Sequence, residues 1–540
     1  MVLARQLDAL AVAQSRAWCS CVVKSAGLVK EFGQLLDILA KSKWFLASAL
    51  FAFCVAPTFI SYRSYQYAFD DSDYLVRSFA VSRAFWSGNL HGLGAAMVSI
   101  RPPAMTLLGL PWGPLASWDG AGKCFITLDA LISLLAALCL YLLLRIGVKP
   151  VVLAVAGLCV VASLGPYPTG SHAHAAATAF LSDSLFAWTI LAAVLLIPFE
   201  ARMDCPSVKS AVLRGVLWGM ILSLGAFTKI SFMYFVVSLI PILFVIRLHR
   251  SGLRLALTSL VACACAALPA AIYLIRWGGR AFDYAKVWSF GPLANLFYQP
   301  LSQFLGNAIR ESPGLFLSFL LMAAALVYLV IKRRLSLLGP DLLALLVMIG
   351  FGIVVLSSTS RVIRFDFPVI VALPFLSGIL VSGRGRSVSC RSAVLAASLV
   401  FCGLLAAAVP TRHRPMRQSL GRCDAVLAQA EKYHATRILL ATDTSTFNKN
   451  LMDLDLSVSA SVTPVEVTTL SYQDVSGVPI EADFREISES DLVVFQDRDA
   501  SSPLFTNQRA SEYERYVRQL GYVPVRVGDD LSIYSKCCGP

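Results

Sequence analysis

The chain has 540 residues, of which 57% are hydrophobic and only 15% charged, and its formal net charge is +13. Soluble domains are nearer half apolar and a quarter charged, so a string of soluble domains is excluded, as are disorder, collagen and a small disulfide scaffold. What remains is a polytopic α-helical membrane protein whose surplus Lys and Arg line cytoplasmic loops, with no nucleic acid as partner.

Residues 1–43 mix apolar side chains with Arg5, Arg16, Lys24, Lys30, Lys41 and Lys43, and read as a cytoplasmic amphipathic segment without a cleavable signal. Apolar runs follow near 44–61, 124–145, 149–166, 175–198, 212–230, 231–247, 254–275, 313–331, 337–357, 366–383 and 392–409, about eleven spans. Alternate connections carry the cations: Arg145 and Lys149; Arg202, Lys209 and Arg214; Arg247, Arg250 and Arg254; Lys332, Arg333 and Arg334; Arg384, Arg386 and Arg391. With eleven spans these fall on one side together with the N-terminus, and the positive-inside rule makes that side the cytoplasm. An odd count then puts the C-terminus outside. The expected location is a bacterial inner (plasma) membrane with the site on the periplasmic face. The absence of any Asn-x-Ser/Thr sequon is compatible with this.

Two outer loops are long, 62–123 and 276–312. The first carries Trp86, Trp112 and Trp118 and is expected to pack on the membrane surface, with 103–117 as a half-span or interfacial helix. A transmembrane domain is thus expected over 44–410, and an extracytoplasmic α/β domain over 411–540. In the latter, Arg437–Thr442 and Asp491–Gln496 read as short buried strands. Tyr513, Tyr516, Val517 and Leu520 repeat at helical spacing before a capping Gly521. VPVRV and LSIY flank Gly528-Asp529-Asp530 as a hairpin. The fourteen Cys show no zinc spacing, and Cys54, Cys139, Cys159, Cys263, Cys265 and Cys402 sit in apolar runs as small buried hydrophobes.

Chemistry-bearing residues concentrate on the outer side. Phe69-Asp70-Asp71-Ser72-Asp73-Tyr74 follows the first span. Three carboxylates in four residues raise one another's pKa unless a cation is near, and one of them is placed to act as a general base; the plainer reading is a solvated acidic turn. Arg101-Pro102-Pro103 fixes an Arg at the interface, suited to a phosphate, or merely anchoring a loop. Asp183 lies inside an apolar run, roughly 13 Å deep if its helix is regular. A carboxylate there is either functional or held by a cation on another helix. Asp129 has the same kind of position and a weaker claim. Lys229 ends the fifth span, and Arg361 and Arg364 begin the tenth. Outer cations run against the positive-inside trend, and either a lipid phosphate or contacts with headgroups or Asp366 would account for them. His172 and His174 lack an identifiable third ligand and read as loop histidines, so no metal site is assigned.

Taken in order, these residues resemble the GT-C superfamily, and within it the protein O-mannosyltransferase and lipid A aminoarabinose transferase group. That group carries an Asp-Glu pair, a following aromatic residue and a Lys-Pro-Pro-like motif. Here Asp70-Asp71, Tyr74 and Arg101-Pro102-Pro103 stand in those places, with Asp71 for Glu and Arg101 for Lys. The similarity runs over roughly 44–385. It implies a glycosyltransferase moving a sugar from a polyprenyl-phosphate donor to an extracytoplasmic lipid, glycan or protein, with inversion. Asp70 or Asp71 would be the catalytic base. Arg101, with Lys229 or Arg364, would face the departing phosphate. Asp73, Tyr74 and Asp183 would bind substrate, or Asp183 would hold one of these cations. Some such enzymes need a divalent cation and others do not, so the cofactor stays open.

A transporter or lipid flippase would also explain many spans and buried charges, but it predicts matching halves, and no such symmetry is visible. A membrane scaffold leaves Asp183 and the Arg-Pro-Pro loop unexplained. A glycan polymerase or ligase differs only in acceptor.

Overall fold

The computed structural model describes residues 69–97, 102–115, 117–148, 152–153, 156, 182–205, 207–290, 300–304, 306, 323, 339–357, 367–382, 415–442, 447–458, 465–470, 480–496, 510–527 and 531–536. The runs expected to span at 44–61, 149–166, 313–331 and 392–409 lie wholly or largely outside these residues.

The described helices are α1 (Phe69–Trp86), α2 (Leu90–Met97), α3 (Trp118–Arg145), α4 (Ser182–Arg202), α5 (Val208–Thr228), α6 (Met233–Phe290), α7 (Gly339–Ser357) and α8 (Phe367–Ser382). Of these, α3, α4, α5 and α6 are long and apolar enough to cross a membrane. The two spans read at 231–247 and 254–275 fall on the two helical parts of α6, which meet at a kink at Gly252, whose φ of 80° only glycine adopts cheaply. The junction near Lys229 is a single 3₁₀ turn, Ile230–Phe232.

Three loop expectations are corrected. The acidic cluster is helical, in the first turn of the described α1, rather than a turn. The second loop starts later than residue 276, because α6 continues through Phe290. Polar residues such as Arg276, Arg280 and Asp283 stopped the hydropathy run without stopping the helix. Residues 103–115 form neither the half-span nor the interfacial helix expected there. They are a chain of turns with one 3₁₀ turn at Leu110–Trp112. Ser78, Ser82 and Trp86, one helical turn apart on α1, hold this segment: Gly109 N–H donates to Ser78 Oγ at 3.0 Å, Ser82 Oγ to the Gly113 carbonyl, and Trp86 Nε1 to Leu110 O at 2.9 Å.

α4 is the central helix, buried from Ser182 to Glu200 and packed by α3, α5, α6, α7 and α8. α5 and the second part of α6 meet along small residues. A Cβ at Gly215 would sit 2.2 Å from the Ser259 carbonyl oxygen, and one at Gly219 would sit 2.5 Å from that of Cys263. Ser259 Oγ donates to Ala211 O at 3.0 Å and Ser223 Oγ to Ala266 O at 3.3 Å. In lipid, where apolar surface gains nothing by pairing, this close backbone approach is what holds helices together.

The basic residues of two expected cytoplasmic connections gather at one end of the bundle. Arg202 bonds the Ile146 carbonyl and Asp341, and Arg250 Nη2 meets Asp204 Oδ1 at 2.6 Å. Glu200, wholly buried, accepts from Arg214 at 3.1 Å, from Trp218 Nε1 at 3.1 Å, and from the equally buried Arg247. Glu200→Ala strands two guanidinium groups, one of them with no exposure. Breaking such a pair costs about 3–5 kcal/mol. The expected result is a lower melting temperature in detergent and a lower membrane yield; a melting curve like that of the wild type would refute it.

The C-terminal region builds a three-layer α/β unit from α9 (Pro415–Lys432), β1 (Arg437–Leu440), α10 (Lys449–Val458), β2 (Glu466–Thr469), α11 (Ile480–Glu489), β3 (Leu492–Gln496), α12 (Ala510–Gln519), β4 (Val523–Val527) and β5 (Leu531–Ser535). The sheet order is β2-β1-β3-β5-β4, with β2, β1 and β3 parallel and the last two pairings antiparallel. Successive strand residues face opposite sides. Ile438, Leu440, Leu492, Val494 and Ile533 join Val426, Ala430 and Leu451 from α9 and α10. Leu439, Val493, Phe495 and Tyr534 join Ile487, Tyr513 and Val517 from α11 and α12. Both faces are covered, so these strands read as unbroken apolar runs. Gly521, at φ 81°, ends α12 with its N–H on Arg518 O.

Asp455 of α10 is 5% exposed, and its Oδ2 has no hydrogen-bond partner among the described residues. Burial first, and Asp424 second, push its carboxyl up to about 6. The folded chain therefore holds this proton where the unfolded chain, from about pH 4, has released it. The resulting stabilisation is present below pH ~4 and is lost as pH rises through ~6. Asp455→Asn is expected to melt above the wild type at about pH 7.5, by on the order of 2–3 kcal/mol, and to match it near pH 4. Equal melting temperatures at the higher pH would overturn this.

Candidate active site

The end of α4 opposite Glu200 gathers most of the outer-side candidates that fall within the described residues. Asp183 stands in the first turn of the described α4, 3% exposed, and forms an ion pair with Lys229. Asp183 thus has a cation from another helix as its partner. Lys229 is where α5 stops: its φ of −150° and ψ of 140° leave the helix, while its N–H still bonds Gly225 O. The break turns the Lys229 side chain back toward α4, with its ammonium 5.4 Å from the centre of the Phe186 ring. Phe232 and Phe351 pack edge-on against that ring at 6.1 and 6.2 Å, so one side of the pair is a wall of aromatic carbon. The Lys229 side chain remains 23% exposed.

Tyr74 reaches the same place from α1. It is 6% exposed, and its hydroxyl lies 3.4 Å from Ser182 Oγ, beside Asp183. The segment after Arg101-Pro102-Pro103 arrives too: Ala104 N–H donates to Phe227 O at 2.8 Å, two residues before Lys229. Thr106 Oγ1 closes the turn on Pro103 O at 2.8 Å. Four stretches of the chain thus meet here: α1, the segment after Pro103, the described start of α4 and the end of α5.

Asp70 and Asp71 lie on α1 one turn before Tyr74. Asp73 is engaged by Arg77 at 2.8 Å, one turn on. Ser72, within the acidic run, is fully buried, and its hydroxyl has no hydrogen-bond partner among the described residues. Arg101, Arg361, Arg364, Asp366, His172 and His174 lie outside the described residues. Asp129, 6% exposed on α3, is not among the groups that meet at Lys229 in the contacts described. Among the described residues no three His, Cys, Asp or Glu side chains form a group able to hold a metal ion.

Sequence reasoning missed Ser182, which carries the link to Tyr74. A hydroxyl flanking a buried carboxylate, in Ser182-Asp183-Ser184, was the available signal. It also missed Glu200 as the hub of the opposite end, although a carboxylate closing an apolar run ahead of Arg202 marks it.

No family model and no curated protein matches the sequence. Among solved structures, ArnT from Cupriavidus metallidurans bound to undecaprenyl phosphate matches with a TM-score of 0.52 at 13% identity, over 92% of this chain and 100% of that one. The apo state of the same protein matches at 0.48 and 14%, over 92% and 99%. The oligosaccharyltransferase of Archaeoglobus fulgidus in its apo form gives 0.46 at 11%, over 84% and 70%. At these identities the first match speaks for fold, and it agrees with the resemblance carried by Asp70-Asp71, Tyr74 and Arg101-Pro102-Pro103. The chain shares its fold with that ArnT, and four of its described helices are long and apolar enough to cross a membrane.

Proposed function

We propose that this protein is a glycosyltransferase that moves a sugar from a polyprenyl-phosphate donor to an extracytoplasmic acceptor. The observation that carries the reading is the convergence of Tyr74, Ser182, Asp183, Lys229 and the segment after Arg101 at one end of the bundle, the end away from the Arg-rich connections. The fold is shared with a protein whose structure holds undecaprenyl phosphate. In the step proposed, Asp70 or Asp71 takes the proton of the acceptor hydroxyl. The acceptor oxygen attacks the anomeric carbon, and the bond from that carbon to the phosphate oxygen breaks with inversion. The lipid phosphate leaves with the electron pair, its growing charge met by Lys229, Arg101 and Arg364. Asp183 holds the Lys229 ammonium in place, Tyr74 lines the substrate side, and Asp73, bonded to Arg77, holds the helix that carries Asp70 and Asp71. A polyprenyl tail stays in the bilayer while its phosphate reaches the interface, which is why the catalyst is embedded. A divalent cation is compatible with the acidic run and is not needed for this step.

The domain limits proposed are 44–410 for the catalytic membrane part and 411–540 for a periplasmic α/β part, behind a cytoplasmic segment 1–43. The test is a mass-spectrometric comparison of envelope lipids and glycans from a deletion strain and the same strain complemented. Loss of one sugar from one acceptor, restored by the wild-type gene, supports the reading. An unchanged profile with the gene expressed would favour the transporter or flippase.

A further inference from the structure

α10 belongs to the C-terminal α/β unit and yet packs against α1, the helix of the acidic run. Its side chains divide between two cores. Leu451 and Met452 are buried in the cluster beneath the sheet. Leu454, fully buried, joins the apolar cluster of the membrane bundle that contains Tyr74, Leu75 and Phe79, and Val458 packs against it. The start of α10 is fixed by Asn448, wholly buried, whose Oδ1 accepts the Leu451 N–H at 3.0 Å. A helix rooted in both cores transmits the position of one to the other.

Charges line the same contact. On α1, Arg77 bonds Asp73 at 2.8 Å; on α10, Lys449 bonds Asp453 at 2.6 Å; both pairs are one helical turn apart. The Asp453 carboxylate is acted on across the contact by both Asp73 and Arg77. The four groups are between 15% and 36% exposed, so each pair alone would add only a few tenths of a kcal/mol. Their value lies in register. Two cations and two anions sum to zero, and sliding α10 along α1 would set like charges together. Burial raises the Asp453 carboxyl above its ordinary range, opposed by Lys449 and Arg77, so its charge depends on this company.

We infer that Lys449 and Asp453 are positioning residues of the transferase, which with Asp73 and Arg77 form a four-charge contact that fixes the first turn of α1, and with it Asp70 and Asp71. The inference rests on the proposed function for the role of Asp70 and Asp71. The physical requirement is ordinary: a base displaced by about 1 Å can cost a hundredfold in rate. The C-terminal unit is then part of the catalyst rather than an appended module.

The experiment uses the full-length protein in detergent, with Lys449→Gln/Asp453→Asn, Asp453→Glu, and Arg77→Gln, which removes the contact from the α1 side. Hydrogen exchange is followed in peptides covering 69–77 and, as a control, α4. The same variants are expressed in the deletion strain, and the sugar-bearing product is quantified by mass spectrometry. Exchange in 69–77 is expected to quicken at least tenfold in the double variant and in Arg77→Gln, with α4 unchanged and product down at least fivefold. Asp453→Glu is expected to restore both, which a role in bulk stability would not require. Unchanged exchange at 69–77 overturns the inference, as does faster exchange with wild-type product, or failure of Asp453→Glu to restore. An Asp70→Asn/Asp71→Asn strain runs alongside: wild-type product there sinks the proposed function instead, while the exchange data still judge the helix contact.

Discussion

The double replacement Asp70→Asn/Asp71→Asn is expected to leave the protein folded in the membrane and to lower sugar transfer by about 10²–10⁴-fold, the usual contribution of a general base. Asn matches Asp in shape and nearly in helix propensity, so α1 should persist. What is lost is the capacity to take a proton. Asp73 is the internal comparison, because its carboxylate is held by Arg77 one turn along the helix. Asp73→Asn should therefore act through helix position and cost less. The readout is the ratio of modified to unmodified acceptor in cells carrying equal amounts of each variant. Wild-type turnover by the double variant would eliminate the assigned base. Loss of transfer in Asp73→Asn alone, with the double variant active, would move the base to Asp73.

Much of the architecture could be read because lipid and sheet impose simple periodicities. The runs at 212–230, 337–357 and 366–383 fall on α5, α7 and α8 within a few residues. The strands at Arg437–Leu440 and Leu492–Gln496 stood out because, covered on both faces, they have no polar alternation to blur them. The third parallel strand, Glu466–Thr469, did not, because an edge strand carries Glu466 and two Thr and looks like loop. The helix of the acidic run was hidden for a related reason. Asp70, Asp71 and Asp73 mimic a solvated turn, and only packing against the bundle and α10 makes a helix of that stretch. At the site, composition marked Asp183 and Lys229 singly, as charges where charges are costly. That they form one pair depends on the unwinding of α5 at Lys229, which no local sequence rule encodes. The docking of α10 on α1 joins residues more than 370 positions apart and was invisible without the fold.

The Asp183–Lys229 pair offers a way to separate structure from chemistry. Removing one partner leaves the other charge against Phe186 and the aromatic wall; for a buried pair this costs about 3–5 kcal/mol. Asp183→Asn and Lys229→Met should therefore both melt early in detergent. Neutralising both groups together removes the stranded charge, and such double replacements are often near neutral in stability. Asp183→Asn/Lys229→Met is thus expected to melt close to the wild type. Transfer should not follow. If Lys229 meets the charge growing on the departing phosphate, its loss costs about 10²–10³-fold whether or not the protein is stable, as for other preorganised charges aimed at a leaving group. The double variant would then be stable and inactive, a combination that a purely structural salt bridge cannot produce. A double variant that is both stable and active would assign the pair to packing alone, leaving Arg101 and Arg364 as the cations facing the lipid phosphate.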